Sequence, residues 1–243
     1  MPSILESVDS TNHVLASMSI DSDGASVVAD EQTAGRGRVD RSWVSTAGAG
    51  LWMSVLIRLD GVDRERWPLL SLAAALAARR AIADACDVSV GIKWPNDLVV
   101  EPTLRKLGGL LIEVSGSRAI VGIGINVAWA ADRLPTPEST SILVEGGRTD
   151  RAELLAQLLV DLEELVSLWR ASPDEIVTRY RQACVSLGRE VIAHLPDGAV
   201  MGVATAVDDS GRLIISSGET SVFISAGDVI HATITPWDTP RSS

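Results

Sequence analysis

The pattern of apolar residues changes near residue 187, and this change constrains the fold of the 243-residue chain more than any other feature. Before it, short runs suited to strands alternate with stretches in which Leu and Ala recur at helical spacing. After it, short β-rich runs are separated by turn sequences. We therefore predict one unit of helices and strands over residues 1–186, a small β-barrel over 187–236 and a disordered tail over 237–243.

Composition limits the kinds of partner that the chain can have. Hydrophobic residues make up 46% of it and charged residues 22%, which is typical of a globular protein and excludes a disordered one. The net charge of −11 disfavours sequence-independent binding to nucleic acid or to an anionic membrane. No apolar run reaches the roughly 18 residues of a membrane span. No secretory signal is visible, and the two cysteines, Cys86 and Cys184, are far apart, so we expect a cytoplasmic protein without a membrane partner.

Lysine and asparagine are scarce, and their positions indicate where chemistry is concentrated. Of 21 basic residues only Lys93 and Lys106 are lysines, and the asparagines are Asn12, Asn96 and Asn126. A genomic bias toward Arg explains a surface without lysine. It leaves lysine where a compact point charge is required, because the broad planar guanidinium of Arg does not replace it.

Residues 35–38 have the sequence Gly-Arg-Gly-Arg, followed by Arg41 and Trp43. Glycines let a backbone approach a ligand closely, and Arg side chains supply charge-assisted donors, as a pocket for phosphate and carboxylate requires. Trp43 is placed to stack on a base or to close such a pocket. The alternative is a flexible surface loop with solvated charges. Arg-Gly runs also occur in RNA-binding tails, which are longer and repetitive.

Three other segments carry polar groups at the ends of strand-like runs. In residues 93–97 (Lys-Trp-Pro-Asn-Asp), Asp97 is suited to hold Mg²⁺ beside phosphates and Lys93 to neutralise a phosphate. The alternative is an Asx-turn closed on its own backbone. Lys106 precedes two glycines, and it either points into a cavity or lies exposed on an edge strand. The alternating glycines of residues 122–126 predict a strand against which a flat ligand or a crossing helix packs.

Together these segments resemble biotin protein ligases, also called biotin–[acetyl-CoA-carboxylase] ligases. The shared motifs occur in the family's order at residues 10–12, 31–43, 93–97, 106–109 and 122–126. The resemblance covers residues 5–185, and the small C-terminal β unit also matches the family. It implies an α/β (α+β) catalytic domain like that of class II aminoacyl-tRNA synthetases, with a mixed sheet flanked by helices, plus a C-terminal SH3-like barrel.

The resemblance implies a ligase that works in two steps. The carboxylate of biotin attacks the α-phosphate of ATP, giving biotinyl-5′-AMP and pyrophosphate. A lysine of a biotin carboxyl carrier protein then attacks the mixed anhydride. The implied catalytic residues are Arg36, Lys93 and Lys106, and the implied Mg²⁺ ligand is Asp97. The implied biotin site comprises Ser10, Thr11, Asn12, Gln32, Gly35, Arg36, Gly37, Arg38, Lys106, Gly109 and Gly122. The implied ATP site comprises Arg36, Arg38, Arg41, Trp43, Lys93, Asn96, Lys106 and Asn126.

The chain departs from the family pattern in the loop and at its start. Asp40 stands where the family usually has Gly, and its negative charge beside the loop arginines predicts looser retention of the adenylate. The turn at residues 101–104 is slightly long. The first motif lies close to the N-terminus, so we expect no N-terminal DNA-binding domain and no operator binding. Family habit implies a homodimer through the catalytic-domain sheet.

Three other functions remain open at this stage. A lipoate– or octanoate–protein ligase has the same fold, but it is expected to lack the loop pattern of residues 35–43. A non-catalytic protein that holds biotin or an adenylate is disfavoured by the intact Arg36 and Lys106. An RNA-binding module is disfavoured by the net charge of −11.

Overall fold

The computed structural model describes residues 1–38, 41–195, 198–218 and 220–225, and the backbone of residues 231–234. The predicted tail at 237–243 and the departure at Asp40 therefore lie outside the described residues. None of the helices that are described is both long and apolar enough to cross a membrane.

A seven-stranded mixed sheet forms the first unit. Its strands are β1 (Ser3–Val8), β2 (Ser26–Gln32), β3 (Gly50–Arg58), β4 (Val90–Lys93), β5 (Asp97–Val100), β6 (Arg105–Ser115) and β7 (Arg118–Asn126). They lie in the order β1-β2-β3-β7-β6-β5-β4. The pair β1–β2 is parallel and the other neighbours are antiparallel. The pairing of β6 with β7 brings the glycine-containing ends of both strands together, with Gly109 opposite Gly124.

Four α-helices accompany this sheet: α1 (Thr11–Ser17), α2 (Leu69–Cys86), α3 (Arg151–Ala171) and α4 (Pro173–Ala183). Helix α1 connects the parallel strands β1 and β2, so its N-terminus lies beside their carboxyl ends. Helix α2 is rich in Leu and Ala and packs between the sheet and helices α3 and α4, where its side chains enter the main hydrophobic core. The N-cap residue of α3 is Asp150, whose Oδ1 accepts bonds from the backbone N–H groups of Ala152 and Glu153.

The second unit is a five-stranded antiparallel sheet. Its strands are β8 (Glu190–Leu195), β9 (Gly198–Val207), β10 (Leu213–Ser217), β11 (Thr220–Ile224) and β12 (His231–Ile234), in the order β11-β10-β9-β8-β12. The predicted α/β unit with a mixed sheet, followed by a small β unit, is thereby confirmed. The domain limit between residues 186 and 187 stays a prediction.

Candidate active site

A cavity of about 150 Å³ opens beside the glycine-containing ends of β6 and β7, between α1, the loop after β2 and the turn before β5. All five sequence motifs contribute to its lining. The predicted residues that line it are Ser10, Thr11, Asn12, Gln32, Arg36, Gly37, Arg38, Arg41, Trp43, Lys93, Asn96, Asp97, Lys106, Gly109 and Gly122. Residues that are up to about a hundred positions apart in the chain therefore meet at one place in the fold.

Two predicted site residues, Gly35 and Asn126, lie outside this lining. A Cβ on Gly35 would stand 2.4 Å from the carbonyl oxygen of Trp43, so glycine is required for the loop to fold back on itself. The amide of Asn126 is buried and donates from Nδ2 to the carbonyl oxygen of Thr140 at 2.9 Å. Both residues shape the backbone around the cavity, and their contacts with biotin or nucleotide stay predictions.

Buried hydroxyl and amide groups form the floor of the cavity. Because β1 and β2 are parallel, Thr11 after β1 meets Gln32 at the end of β2. The Thr11 backbone N–H donates to Gln32 Oε1 at 2.9 Å, and its hydroxyl lies 3.1 Å from the same oxygen. Ser54, which is fully buried on β3, places its hydroxyl 2.7 Å from that of Thr11 and 2.6 Å from Asn12 Oδ1. These contacts fix side chains that the resemblance implies for the biotin site, and their contacts with biotin stay predictions.

Ser54 is a residue that the motifs did not identify. The available signal was a single hydroxyl in a strand that is apolar up to its last residue, Arg58, and it shows no pattern that distinguishes a site residue from a tolerated core serine. Its hydroxyl has only one proton, so it donates to either Thr11 or Asn12 at any moment. Ser54 therefore links two neighbouring residues of α1 rather than contacting solvent.

The alternating glycines of β7 are explained by two side chains that pack against them. A Cβ on Gly122 would lie 2.3 Å from Asn12 Oδ1, and one on Gly124 would lie 2.9 Å from the Trp43 indole. The bare strand therefore lets Asn12 and the Trp43 ring approach closely. Asn12 belongs to the short helix α1, so a crossing helix accounts for Gly122. Of the two predicted alternatives, a flat ligand or a crossing helix, the helix therefore applies at this position.

The charged groups that line the cavity are predominantly positive. Among the described residues, Arg36, Arg38, Arg41, Lys93 and Lys106 line it together with a single acidic residue, Asp97. Burial lowers the pKa of Lys93 below its usual value, with the attraction of Asp97 acting in the opposite direction. Burial likewise lowers the pKa of Arg38. A cluster of cations that are partly removed from water is suited to bind several negative charges at once.

The segment Lys-Trp-Pro-Asn-Asp forms a turn that is held from outside, which excludes the alternative of a turn closed on its own backbone. The Asn96 side chain donates to the carbonyl oxygen of Leu110 on β6. Trp94 is buried, and its indole N–H donates to the carbonyl oxygen of Gly211, in the turn between β9 and β10, at 3.0 Å. The Tyr180 hydroxyl donates to the carbonyl oxygen of Pro95 at 3.2 Å. The second unit and α4 therefore support the turn that presents Lys93 and Asp97.

The side chains that line the cavity can hold Mg²⁺ only if bound phosphates supply most of the ligands of the ion. Among the described residues, no group of three or more His, Cys, Asp or Glu side chains is arranged to hold a metal ion. Mg²⁺ commonly keeps several waters and binds through one or two carboxylates plus substrate phosphates. Asp97, surrounded by cations that attract phosphates, meets that requirement.

The chain matches known families along most of its length. Residues 4–129 match the biotin/lipoate A/B protein ligase family, and residues 186–232 match the biotin protein ligase C terminal domain. Among curated proteins, the biotin–[acetyl-CoA-carboxylase] ligase of Mycobacterium tuberculosis is 38% identical over 221 residues, which are 89% of this chain and 82% of the relative. The biotin–[acetyl-CoA-carboxylase] ligase of Paracoccus denitrificans is 32% identical, and the match spans 93% of this chain and 98% of the relative.

A solved structure supports the same assignment. The biotin protein ligase from Aquifex aeolicus, in complex with biotin and ATP, superposes with a TM-score of 0.83 at 29% identity. The superposition covers 96% of this chain and 98% of the other. The family match, the close relatives and the shared fold agree with the cavity built from the five motifs. This chain therefore belongs to the biotin/lipoate A/B protein ligase family, and within it to the biotin protein ligases.

Proposed function

We propose that this protein is an ATP-dependent ligase that activates biotin as biotinyl-5′-AMP and transfers it to a lysine of a biotin carboxyl carrier protein. The acceptor belongs to acetyl-CoA carboxylase or a related carboxylase. The observation that carries the proposal is the lining of one cavity, over the part of the chain that the structure describes, by five cationic side chains and one carboxylate. The reaction brings two anions together, biotin carboxylate and triphosphate, so it requires positive charge directed at the reacting phosphorus.

The arrangement of the cavity supports separate places for the two substrates. We place the ring system of biotin on the floor formed by Ser10, Thr11 and Gln32, where hydroxyl and amide groups converge. We place the phosphates at Lys93 and the Asn96–Asp97 turn, with Trp43 beside the nucleotide. Lys106 then lies where the biotin carboxylate meets the α-phosphate.

The loop after β2 supports the second step. Its described residues fold back on themselves, with Gly37 N–H donating to the carbonyl oxygen of Arg41 at 2.6 Å and Trp43 N–H to that of Gly35 at 2.8 Å. We propose that Arg36 and Arg38 close over the adenylate, which keeps water from the reactive anhydride until the carrier lysine arrives. Asp97 would hold Mg²⁺ bound together with ATP, and the ion would supply charge neutralisation on the phosphates.

The decisive experiment is ATP–pyrophosphate exchange with biotin, lipoate or octanoate as the carboxylic acid. We expect exchange with biotin only, followed by transfer of biotin to a purified carrier domain, detected by streptavidin. Exchange with lipoate or octanoate instead would make the protein a lipoate– or octanoate–protein ligase. Biotin binding without exchange would make it a non-catalytic biotin-binding protein.

We also propose three properties on which the fold has less bearing. The protein acts in the cytoplasm. It binds no operator DNA, a proposal supported by the net charge of −11. It forms a homodimer through the catalytic-domain sheet, whose edge strand β1 carries the exposed Ile4. A gel-shift assay and light scattering of the purified protein test the last two.

A further inference from the structure

A carboxylate outside the five motifs joins the floor of the cavity to the Arg-Gly loop. Glu113 lies on β6, two residues beyond Leu111, which lines the cavity. Its Oε2 accepts a bond from Asn12 Nδ2 at 2.6 Å. Arg36 Nη2 stands 3.0 Å from its Oε1 and 3.1 Å from its Oε2. The carboxylate therefore contacts one side chain from α1 and one from the loop.

The position of this carboxylate is set by buried groups. Asn12 is almost fully buried, and its amide is held at both ends. Its Oδ1 lies 2.6 Å from the Ser54 hydroxyl, and its Nδ2 is 2.6 Å from Glu113 and 3.4 Å from the carbonyl oxygen of Leu111. Gly122 has no Cβ, which leaves the room that this amide occupies. Ser54 thus orients Asn12, and Asn12 orients Glu113.

We propose that Glu113 is a positioning residue for adenylation, acting through Arg36; this role rests on the proposed function. A guanidinium carries five N–H donors on three nitrogens, and the contact with Glu113 uses Nη2 alone. An anion bound in the cavity is therefore met by the other nitrogens while Glu113 keeps the side chain in place. Holding Arg36 before the ligand arrives removes part of the ordering cost of binding.

The expected signature is a loss of binding without a loss of stability. The side chains of Arg36 and Glu113 are 50% and 38% exposed, and ion pairs of such exposure contribute little to folding. We expect Glu113→Gln to raise the calorimetric Kd for biotin about tenfold, which corresponds to about 1.4 kcal/mol. The KM for biotin in pyrophosphate exchange rises with it, whereas the melting temperature stays close to that of the wild type.

A double-mutant cycle with Arg36→Ala separates this role from a purely structural one. In the Arg36→Ala background, Glu113→Gln is expected to change the biotin Kd less than about twofold, because no guanidinium remains to be positioned. The matched control is Glu164→Gln, which removes a charge that accepts two bonds from Arg80 on the outer side of α2 and α3. That variant is expected to bind biotin like the wild type.

Several outcomes would overturn the proposal. A tenfold effect that persists without Arg36 would mean that Glu113 acts through the fold or through Asn12. Tighter biotin binding by Glu113→Gln would mean that Glu113 competes with the ligand for Arg36. If Glu113→Gln does not fold, Glu113→Asp is used in the same cycle, because it keeps the charge but shortens the side chain. We expect Glu113→Asp to give a smaller loss of biotin binding. Biotin binding equal to that of the wild type in Glu113→Asp would refute the role. A wild-type protein without biotin-dependent exchange refutes the proposed function itself, whereas an active wild type with an insensitive Glu113→Gln refutes only this role.

Discussion

The Lys106 ammonium lies 2.6 Å from Asp97 Oδ1 and 5.4 Å from the centre of the Trp43 ring. Asp97 begins β5 and stands opposite Gly109 on β6, three residues beyond Lys106. A Cβ on Gly109 would lie 3.4 Å from both Asp97 Oδ1 and Lys106 Cε, at ordinary van der Waals contact, so the ion pair lies directly over this glycine. The lysine is thereby held between a carboxylate and an aromatic face, with its charge at the cavity.

Replacing Lys106 by Met should remove most of the adenylation activity. The substitution keeps much of the side-chain volume but removes the charge that we place between the biotin carboxylate and the α-phosphate. We expect biotin-dependent pyrophosphate exchange to fall by about 100-fold or more, as for other groups that stabilise transition-state charge. The matched control is Arg105→Met on the same strand, whose guanidinium pairs with Glu145 instead of lining the cavity. Exchange above about one tenth of the wild-type rate in Lys106→Met would contradict the assigned role.

Replacing Asp97 by Asn should change the response to magnesium. The amide is nearly isosteric but neutral, and Mg²⁺ depends strongly on ligand charge. We expect the Mg²⁺ concentration for half-maximal exchange to rise about tenfold, whereas the Kd for biotin measured without ATP changes less than about twofold. Asp87→Asn, which removes an exposed carboxylate paired with Arg148, is the control. An unaltered magnesium titration would restrict Asp97 to orienting Lys106.

The motif residues could be located from the sequence because each lies where a strand ends or where glycine interrupts one. Lys93 ends β4, Asp97 begins β5, and Gly122 stands in β7. Such positions carry local signals, namely turn residues, glycine and rare lysine, which can be recognised in the sequence without the tertiary structure. The alternation of helices and strands before residue 187 and the β-rich remainder could be predicted for the same reason.

The residues that sequence reasoning missed depend on long-range contacts. Asn12 and Glu113 are 101 positions apart, and only the packing of α1 on β3 and β7, beside β6, brings them together. Ser54 resembles any core serine until its neighbours are known. Asn126 shows the reverse case. Strand alternation places it on the same face as Gly122, but the segment that follows residue 139 covers it, with Ile142 N–H donating to its carbonyl oxygen at 3.0 Å.

The alkaline limit of the reaction should reflect Lys93. Burial lowers its pKa below the usual 10.5, Lys106 and Arg41 act in the same direction, and Asp97 opposes them. The Lys93 ammonium therefore loses its proton at a lower pH than a free lysine does. As the pH is raised, the exchange rate should begin to fall before pH 10.5 is reached. The unfolded chain binds this proton more tightly than the native protein. The contribution of Lys93 to the free energy of unfolding therefore rises with pH between its lowered pKa and 10.5. A loss of activity in this pH range would for that reason not be caused by unfolding at Lys93.

Rates measured from about pH 7 to about pH 10 in the wild type and in Lys93→Arg test this assignment. Arginine keeps its proton throughout the range, so the variant should retain exchange at alkaline pH, with a reduced rate because the guanidinium has a different shape. Circular dichroism at each pH verifies that both proteins remain folded. An alkaline limb at the same pH in both proteins would assign it to another group.

The contact between Trp94 and Gly211 should link the second unit to ATP binding. Trp94→Phe keeps the aromatic packing but leaves the buried carbonyl of Gly211 without its indole donor, which costs about 1–3 kcal/mol of unfolding free energy.

Trp169→Phe is the matched control. It removes a similar bond, from a fully buried indole to the carbonyl oxygen of Arg66 at 2.9 Å, on the far side of α2. Urea unfolding should show comparable destabilisation in both variants. Only Trp94→Phe should raise the KM for ATP, by about tenfold, because a displacement of the adjacent Lys93 weakens phosphate binding. Equal changes of that KM in both variants would attribute the effect to lost stability, and an unchanged KM in Trp94→Phe would show that the turn holds its shape without the second unit.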